Sequence, residues 1–318
     1  MSPFRMILVP LDGSTFAEQA LPLAMRLAEK CPAMLHLSLV HIPVPGWYSA
    51  AEVAVLSPAL EQEARDREEL YLAGAASRVK EKSTVPVTTS RLDGGVATSL
   101  AEQVAKVGAD LVVMTTHGRG GLSRLWVGSV TDRLIRRLMV PVLVVRPTEA
   151  GNMLAPLLQR ILVPLDGSAL AEMVLPAVRA LASATGAELV LAMVVEPVPT
   201  LLPVFPHPIA IESDDIDKRE VEARHYLNRI KEDLLAKGLD VRSRIVIGGG
   251  PAMQIVRVAD EEHCDIIAVA THGAGGMDRI VFGSVTDKLV RTSHVPVLVL
   301  RPTGNPERVR EVLTGVAQ

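Results

Sequence analysis

The chain has 318 residues, about twice the ~100–150 of a common domain, so two domains are expected rather than one. Its residues are 48% hydrophobic and 22% charged, which excludes a disordered chain, and with only 3% aromatic residues the cores must be filled by Val, Leu, Ile and Ala. A net charge of −3 leaves no surplus of Lys and Arg to neutralise a nucleic-acid backbone, so no nucleic-acid partner is expected.

Met1 to Pro10 run straight into a strand-like stretch, without the basic start, apolar run and cleavage site of a signal peptide, so export is not expected. Strands are predicted near Met6–Pro10, Met34–His41, Val85–Arg91, Asp110–Thr115 and Pro141–Val145, with four helices between them. The nearly continuous apolar runs Met34–His41 and Leu111–Met114 suit strands covered on both faces, the pattern of a parallel sheet made of βαβ units. The second helix, from about Pro58 to Lys82, carries a charge run from Glu61 to Glu69 that reads as a solvated face. Ahead of it, Pro43-Val-Pro-Gly-Trp-Tyr48 is a stiff apolar loop, expected to act as a lid over a ligand or as a protein-contact surface. The fifth strand is expected at a sheet edge, where an uncovered apolar strand invites pairing.

Pro and Gly punctuation between Pro147 and Pro156 marks a join, after which the unit repeats. Ile7-Leu-Val-Pro-Leu-Asp-Gly-Ser14 returns unchanged as Ile161-Leu-Val-Pro-Leu-Asp-Gly-Ser168, and Gly128-Ser-Val-Thr-Asp132 as Gly283-Ser-Val-Thr-Asp287. Thr116-His-Gly118 likewise recurs as Thr271-His-Gly273, and Val140-Pro-Val-Leu-Val144 as Val295-Pro-Val-Leu-Val299. So long a period means duplicated domains, since solenoid repeats run at about 20–50 residues. The expected domains are residues 1–148 and 157–304, with a linker at 149–156 and a tail at 305–318. Five prolines between Pro197 and Ile211 break that uncharged stretch, so no membrane-spanning helix is expected. Cys31 and Cys264 belong to no CxxC or Cys/His cluster, so neither a disulfide framework nor a zinc site is expected, and a reducing, cytoplasmic location is.

Two constellations fall where open α/β sheets bind ligands, outside the carboxyl ends of the strands. Asp12 and Asp166 each follow an apolar strand directly and are trailed by Gly and Ser, either as an ordinary capped strand-to-helix turn or as a carboxylate presented to a ligand. The second constellation is the connection Thr115 to Ser129 with its partner Ala270 to Ser284. Its early glycines let the backbone approach an anion, and Gly128-Ser129 opens a helix whose first N–H groups suit a phosphate. The competing reading is a capping box, Ser129 with Asp132 and Ser284 with Asp287, which would use the same donors internally. Both copies keep nine residues between Gly118 and Gly128, or Gly273 and Gly283, a spacing a cap does not need. Neither a Walker A loop nor a G-x-G-x-x-G fingerprint is present.

With its G-x-x-G-x9-G-S/T pattern, V-P-x-D-x-S-like start and closing P-V-L-V-V strand, nearly the whole chain resembles the universal stress protein family, as a tandem member. The resemblance implies two Rossmann-like, adenine nucleotide alpha hydrolase-like domains. Each would be a five-stranded parallel sheet of order 3-2-1-4-5 with helices on both faces, binding ATP or another adenine nucleotide between its first and fourth strands. In the first copy it implies adenosine against Pro10, Asp12 and Ile42, the sugar and phosphates against Met114, Thr115, His117, Gly118 and Arg119, and the phosphate end against Gly128, Ser129 and Val130. In the second it implies Pro164, Asp166, Val195, Ala270, His272, Gly273, Gly283, Ser284 and Val285. The motif's first Gly is Thr115 in one copy and Ala270 in the other; Glu196 replaces Ile42 and Ala274 replaces Arg119, so tighter binding is expected in the first copy. Relatives with one domain dimerise through the edge strand; here the two copies are expected to pair within the chain, with a homodimer and unidentified protein partners left open.

His117 and His272 are read as touching ribose or orienting backbone, and Trp126 and Phe282 as packing anchors. Met34, Met114, Met139, Met193 and Met253 are read as core filling. The expected function is an adenine-nucleotide-dependent stress-response module working through conformation or partner binding. Two alternatives stand beside it: a slow ATPase or phosphoryl or nucleotidyl transferase with magnesium on Asp12, and an interaction module with vestigial sites.

Overall fold

The computed structural model describes residues 4–43, 50–116, 128–148, 156–197, 213–271 and 283–301. The chain divides into two compact units, one within Met1–Pro156 and the other within Leu157–Arg310. Unit 1 runs β1 (Met6–Leu11), α1 (Thr15–Glu18), α2 (Leu21–Lys30), β2 (Met34–Val40), α3 (Ala50–Lys82), β3 (Val87–Leu92), α4 (Val96–Val107), β4 (Leu111–Thr115), α5 (Ser129–Arg137) and β5 (Val142–Val145). Unit 2 repeats the series as β6 (Arg160–Pro164), α6 (Ala169–Glu172), α7 (Leu175–Thr185), β7 (Glu188–Val195), α8 (Ser213–Leu235), β8 (Val241–Ile247), α9 (Pro251–Glu261), β9 (Ile266–Ala270), α10 (Ser284–Thr292) and β10 (Val297–Leu300).

All described pairings within a unit are parallel. They give the orders β3-β2-β1-β4-β5 and β8-β7-β6-β9-β10, the 3-2-1-4-5 order implied by the family resemblance. The central strands carry the core, with Ile7, Leu8, Leu35, Leu37 and Val112 wholly buried in unit 1 and Ile161, Leu162, Leu189 and Ile267 in unit 2. Burial on both faces of these strands accounts for their unbroken apolar sequences.

Two elements differ from expectation. The first helix of each unit is two pieces, because Pro22 and Pro176 lack the N–H that would continue the ladder and instead sit in the first turn of α2 and α7, where no donor is missed. The long helix α3 begins at Ala50 rather than near Pro58: proline is favoured at a helix start, but the alanine-rich segment before it continues the helix upstream. The expected linker 149–156, apart from Pro156, and the tail 305–318 lie outside the described residues.

The central seam of each sheet opens toward its carboxyl end. β1 pairs with β2 over six positions, Met6 to Leu11, but with β4 only at Ile7↔Leu111 and Leu8↔Val112. In unit 2, β6 meets β9 only at Ile161↔Ile266 and Leu162↔Ile267. The closed end is fastened by a carboxylate: Asp110 accepts the N–H groups of Arg5 and Met6 at 2.9 and 3.2 Å, and Asp265 those of Gln159 and Arg160 at 2.6 and 3.0 Å. Beyond these pairs the strands part where the order of the sheet reverses, leaving a crevice at the strands' carboxyl ends.

Candidate nucleotide site

One wall of the crevice is the turn after β1. Gly13 has φ +82°, a left-handed conformation that side-chain-bearing residues avoid, and Gly167 repeats it at +85°. The tight turn lets Asp12 Oδ1 accept Ser14 N–H at 2.9 Å and Ser14 Oγ–H at 2.6 Å, while Ser14 Oγ accepts Ala17 N–H at 3.1 Å to cap α1. Asp166, Ser168 and Ala171 repeat these bonds at 3.0, 2.6 and 3.1 Å. The serine is therefore the cap, and the aspartate braces it from the strand end. Pro10 and Pro164 are half-buried beside it, and Asp166 is exposed.

The opposite wall is β4 and the start of α5. Thr116 O accepts Gly128 N–H at 2.8 Å, and Thr115 O accepts Thr131 Oγ1–H at 3.1 Å, so both ends of the connection 117–127 are tied together. In unit 2, Gly283 N–H meets Thr271 O at 2.8 Å and Thr286 Oγ1–H meets Ala270 O at 2.9 Å. A Cβ at Gly128 would stand 2.7 Å from Thr116 O, closer than two such atoms are ever found. Glycine is thus required by close backbone approach and not by its dihedral, since its φ of −56° is open to any residue. Thr131 and Thr286 were not among the sequence-derived site residues, although they belong to the repeated Gly-Ser-Val-Thr-Asp block.

The capping-box alternative is not what forms. Gly128 and Gly283 occupy the cap positions with no side-chain hydrogen bond, which makes Ser129 and Ser284 the first helical residues. Asp132 instead accepts Arg136 Nε–H at 3.0 Å, and Asp287 accepts Arg291 Nε–H at 2.8 Å, each one turn along its helix. Among the described residues the first N–H groups of both helices therefore have no side-chain cap, and Ser129 and Ser284 are exposed at the helix starts. Met114 and Thr115 are buried at the end of β4, and Ala270 ends β9 half-buried. Val130 and Val285, next along, are half-buried. His117, Gly118, Arg119 and Trp126, and His272, Gly273, Ala274 and Phe282, lie outside the described residues, as does Trp47 of the loop expected to be a lid or a protein-contact surface.

The two units differ behind this shared frame. Ile42, 56% exposed, follows a buried His41 whose Nε2 meets Glu61 Oε1 at 2.6 Å and whose Nδ1 meets Glu68 Oε2 at 2.8 Å, fastening β2 to α3. In unit 2, Val195 ends β7 buried, and Glu196 is turned to the β8–α9 connection, its Oε1 accepting Gly250 N–H at 3.2 Å. Of the methionines read as core, Met114 is buried, whereas Met34, Met139 and Met253 are exposed. Among the described residues no group of three or more His, Cys, Asp or Glu is placed to hold a metal ion. Nor, among them, is any helix long and apolar enough to cross a membrane.

The model of the universal stress protein family matches residues 3–146 and again 158–301. The chain is 36% identical over 90 residues to universal stress protein MJ0577 of Methanocaldococcus jannaschii, a match covering 28% of this chain and 55% of that relative, little more than half its length. A universal stress protein of Mycolicibacterium smegmatis is 27% identical over 300 residues, 93% of this chain and 97% of its own. The crystal structure of a universal stress protein from Archaeoglobus fulgidus superposes with a TM-score of 0.65 at 18% identity, covering 95% of this chain and 98% of that one, a likeness of fold.

Proposed function

The chain belongs to the universal stress protein family, and from this membership and the crevice repeated in its units we propose that it binds an adenine nucleotide in each and acts in stress response by nucleotide-dependent conformation or partner binding. One observation carries the reading: in both units a helix without a side-chain cap starts at the mouth of a crevice where the sheet order reverses, opposite an aspartate-braced turn. A phosphate accepting those N–H groups would satisfy donors that the duplicated sequence leaves without a capping oxygen. Ser129 and Ser284 would add a hydroxyl each. On the family's pattern, Gly118, Arg119 and His117 would line the sugar and phosphates in unit 1 and Gly273 and His272 in unit 2, while Pro10, Asp12 and Ile42, or Pro164, Asp166 and Val195, would face the nucleoside.

Magnesium would enter with the phosphates rather than occupy a site of its own. Asp12 Oδ1 is already engaged by Ser14, and a hard cation needs about six oxygen ligands, most of them then from phosphate and water. The purified protein, denatured and analysed by mass spectrometry, should release ATP, ADP or AMP. Protein that carries no adenylate and takes up none when ATP and magnesium are supplied would end this reading. Steady-state phosphate release then separates a binding module from an ATPase.

A further inference from the structure

At the amino edge of each sheet, the end away from the crevice, the duplicated units differ in kind. In unit 2 that edge is held by ion pairs. Glu188, at the start of β7, meets Arg160 Nε at 3.1 Å and Arg242 Nε at 2.6 Å. Arg242 Nη1 goes on to Glu262 Oε2 at 3.0 Å, and Arg160 Nη1 donates to Glu262 O at 2.9 Å. Two residues back along α9, Asp260 pairs with His294, just ahead of β10.

Unit 1 keeps the backbone of this edge without these charges. Register pairs Met6 with Met34 as it pairs Arg160 with Glu188. α4 and α9 are both followed by a left-handed residue, Gly108 at φ +65° and His263 at φ +52°, so Ala105 and Val107 stand where Asp260 and Glu262 do. Met139, one residue before the repeated Val-Pro-Val-Leu-Val block, takes the place of His294. The ion-paired edge of one unit is thus an apolar strip in the other, with Met34 38% and Met139 54% exposed.

Helices of a parallel sheet run back to its amino edge, so their last turns frame this strip. α2 ends with Lys30, α3 with Lys80 and Lys82, and α4 with Lys106, whereas α7, α8 and α9 have no basic residue in the last turn. Lysine there suits the helix dipole, but the helices of unit 2 form without it, so the fold does not require it. All four lysines are exposed, and among the described residues none is in an ion pair.

We infer that the amino edge of unit 1 is a docking surface for an acidic protein segment that carries apolar side chains at helical spacing. The lysines supply charge complementary to such a segment and steer it in, while the methionines adapt to the side chains it presents. Part-exposed methionines without an aromatic ring suit packing against a facing helix better than insertion into a bilayer. The surface goes beyond nucleotide binding and does not depend on it.

The probe is a fluorescein-labelled peptide about four helical turns long, with leucine at positions i, i+3, i+4 and i+7 and glutamate between them, titrated with the full chain by anisotropy. It should bind about tenfold more tightly than versions with serine for leucine or lysine for glutamate, and weaken as salt rises. Met34→Glu with Met139→Glu, which returns charge to exposed positions, should cost about tenfold in affinity, as should Lys30→Glu with Lys106→Glu, while ATP uptake stays that of the unaltered chain. If the paired methionine change disturbs folding, Met139→Ser alone should weaken the peptide and leave thermal unfolding unchanged. Failure of the peptide to bind, equal binding by the variants, an equal loss of ATP uptake in them, or binding to phosphatidylglycerol vesicles in place of the peptide overturns the inference. An unaltered chain that binds the peptide but takes up no ATP overturns the nucleotide reading alone.

Discussion

His41 offers both ring nitrogens to carboxylates, Glu61 at 2.6 Å and Glu68 at 2.8 Å, and since a carboxylate only accepts, both nitrogens must carry protons for the pair of bonds to form. Its pKa is accordingly raised above the ordinary histidine value, by the hydrogen bond to Glu61 first, against the opposing effect of burial, and then by Glu68. Around the triad, Arg91 pairs with Asp93 at 2.9 Å and Glu69 at 3.4 Å, and Arg65 reaches Asp93 at 3.5 Å. A raised folded-state pKa means that the contribution is complete below the unfolded value of about 6.5 and disappears as pH climbs through the folded one. His41→Gln should thus lower the thermal transition of unit 1 most below about pH 6, and the gap from the unaltered protein should close toward alkaline pH. His36 responds in the opposite sense: Gln103 donates to its Nε2 at 2.9 Å, so its Nδ1–H faces Thr88 Oγ1 at 2.8 Å in the neutral form, and burial lowers its pKa. The difference between variant and unaltered protein isolates His41 from that background, and a gap independent of pH would contradict the imidazolium.

Helix starts in this protein come in two kinds, and they should respond differently to the same truncation. α1 and α6 have a serine cap braced by an aspartate, whereas α5 and α10 begin at glycine with no side-chain cap. Ser14→Ala removes a cap and should cost about 0.5–2 kcal/mol in urea unfolding. Ser129→Ala removes an exposed hydroxyl that caps nothing; it should change stability by less than about 0.5 kcal/mol while weakening nucleotide binding. Equal losses of stability at the two positions would mean that Ser129 serves the fold after all. From sequence alone both serines read as plausible caps, because each opens a helix and Ser129 has an acid three positions later. What separates them is Gly128, which Thr116 O holds as the cap residue and which displaces Ser129 one place into the helix.

Across the whole molecule each unit carries one cysteine, sealed in its core: Cys31 is 0% and Cys264 5% exposed. Burial, with the charge of Asp110 beside one and of Glu262 beside the other, pushes both thiols up to about 12. A thiol so protonated is unreactive, so labelling requires the surrounding unit to open. Native protein should react with an aromatic disulfide reagent at neither position, and unfolded protein at two per chain; rapid native labelling would contradict the burial. Peptide mapping of the slow phase then reads the opening of each unit separately, and bound nucleotide should slow both.

Strands and most helices were legible in the chain because their signals are local: apolar runs, glycine and proline punctuation, and a block of residues that returns after one domain length. The candidate site was legible in part for the same reason, since Asp12, Gly128 and Ser129 stand in repeated motifs that the fold places at strand and helix ends. Tertiary structure alone decided the parting of β1 from β4, the clasp of Thr131 on Thr115 and the joining of His41 to Glu61 and Glu68. These depend on register and packing between segments many residues apart, and no periodicity along one strand or helix encodes which side chains will face each other across a gap.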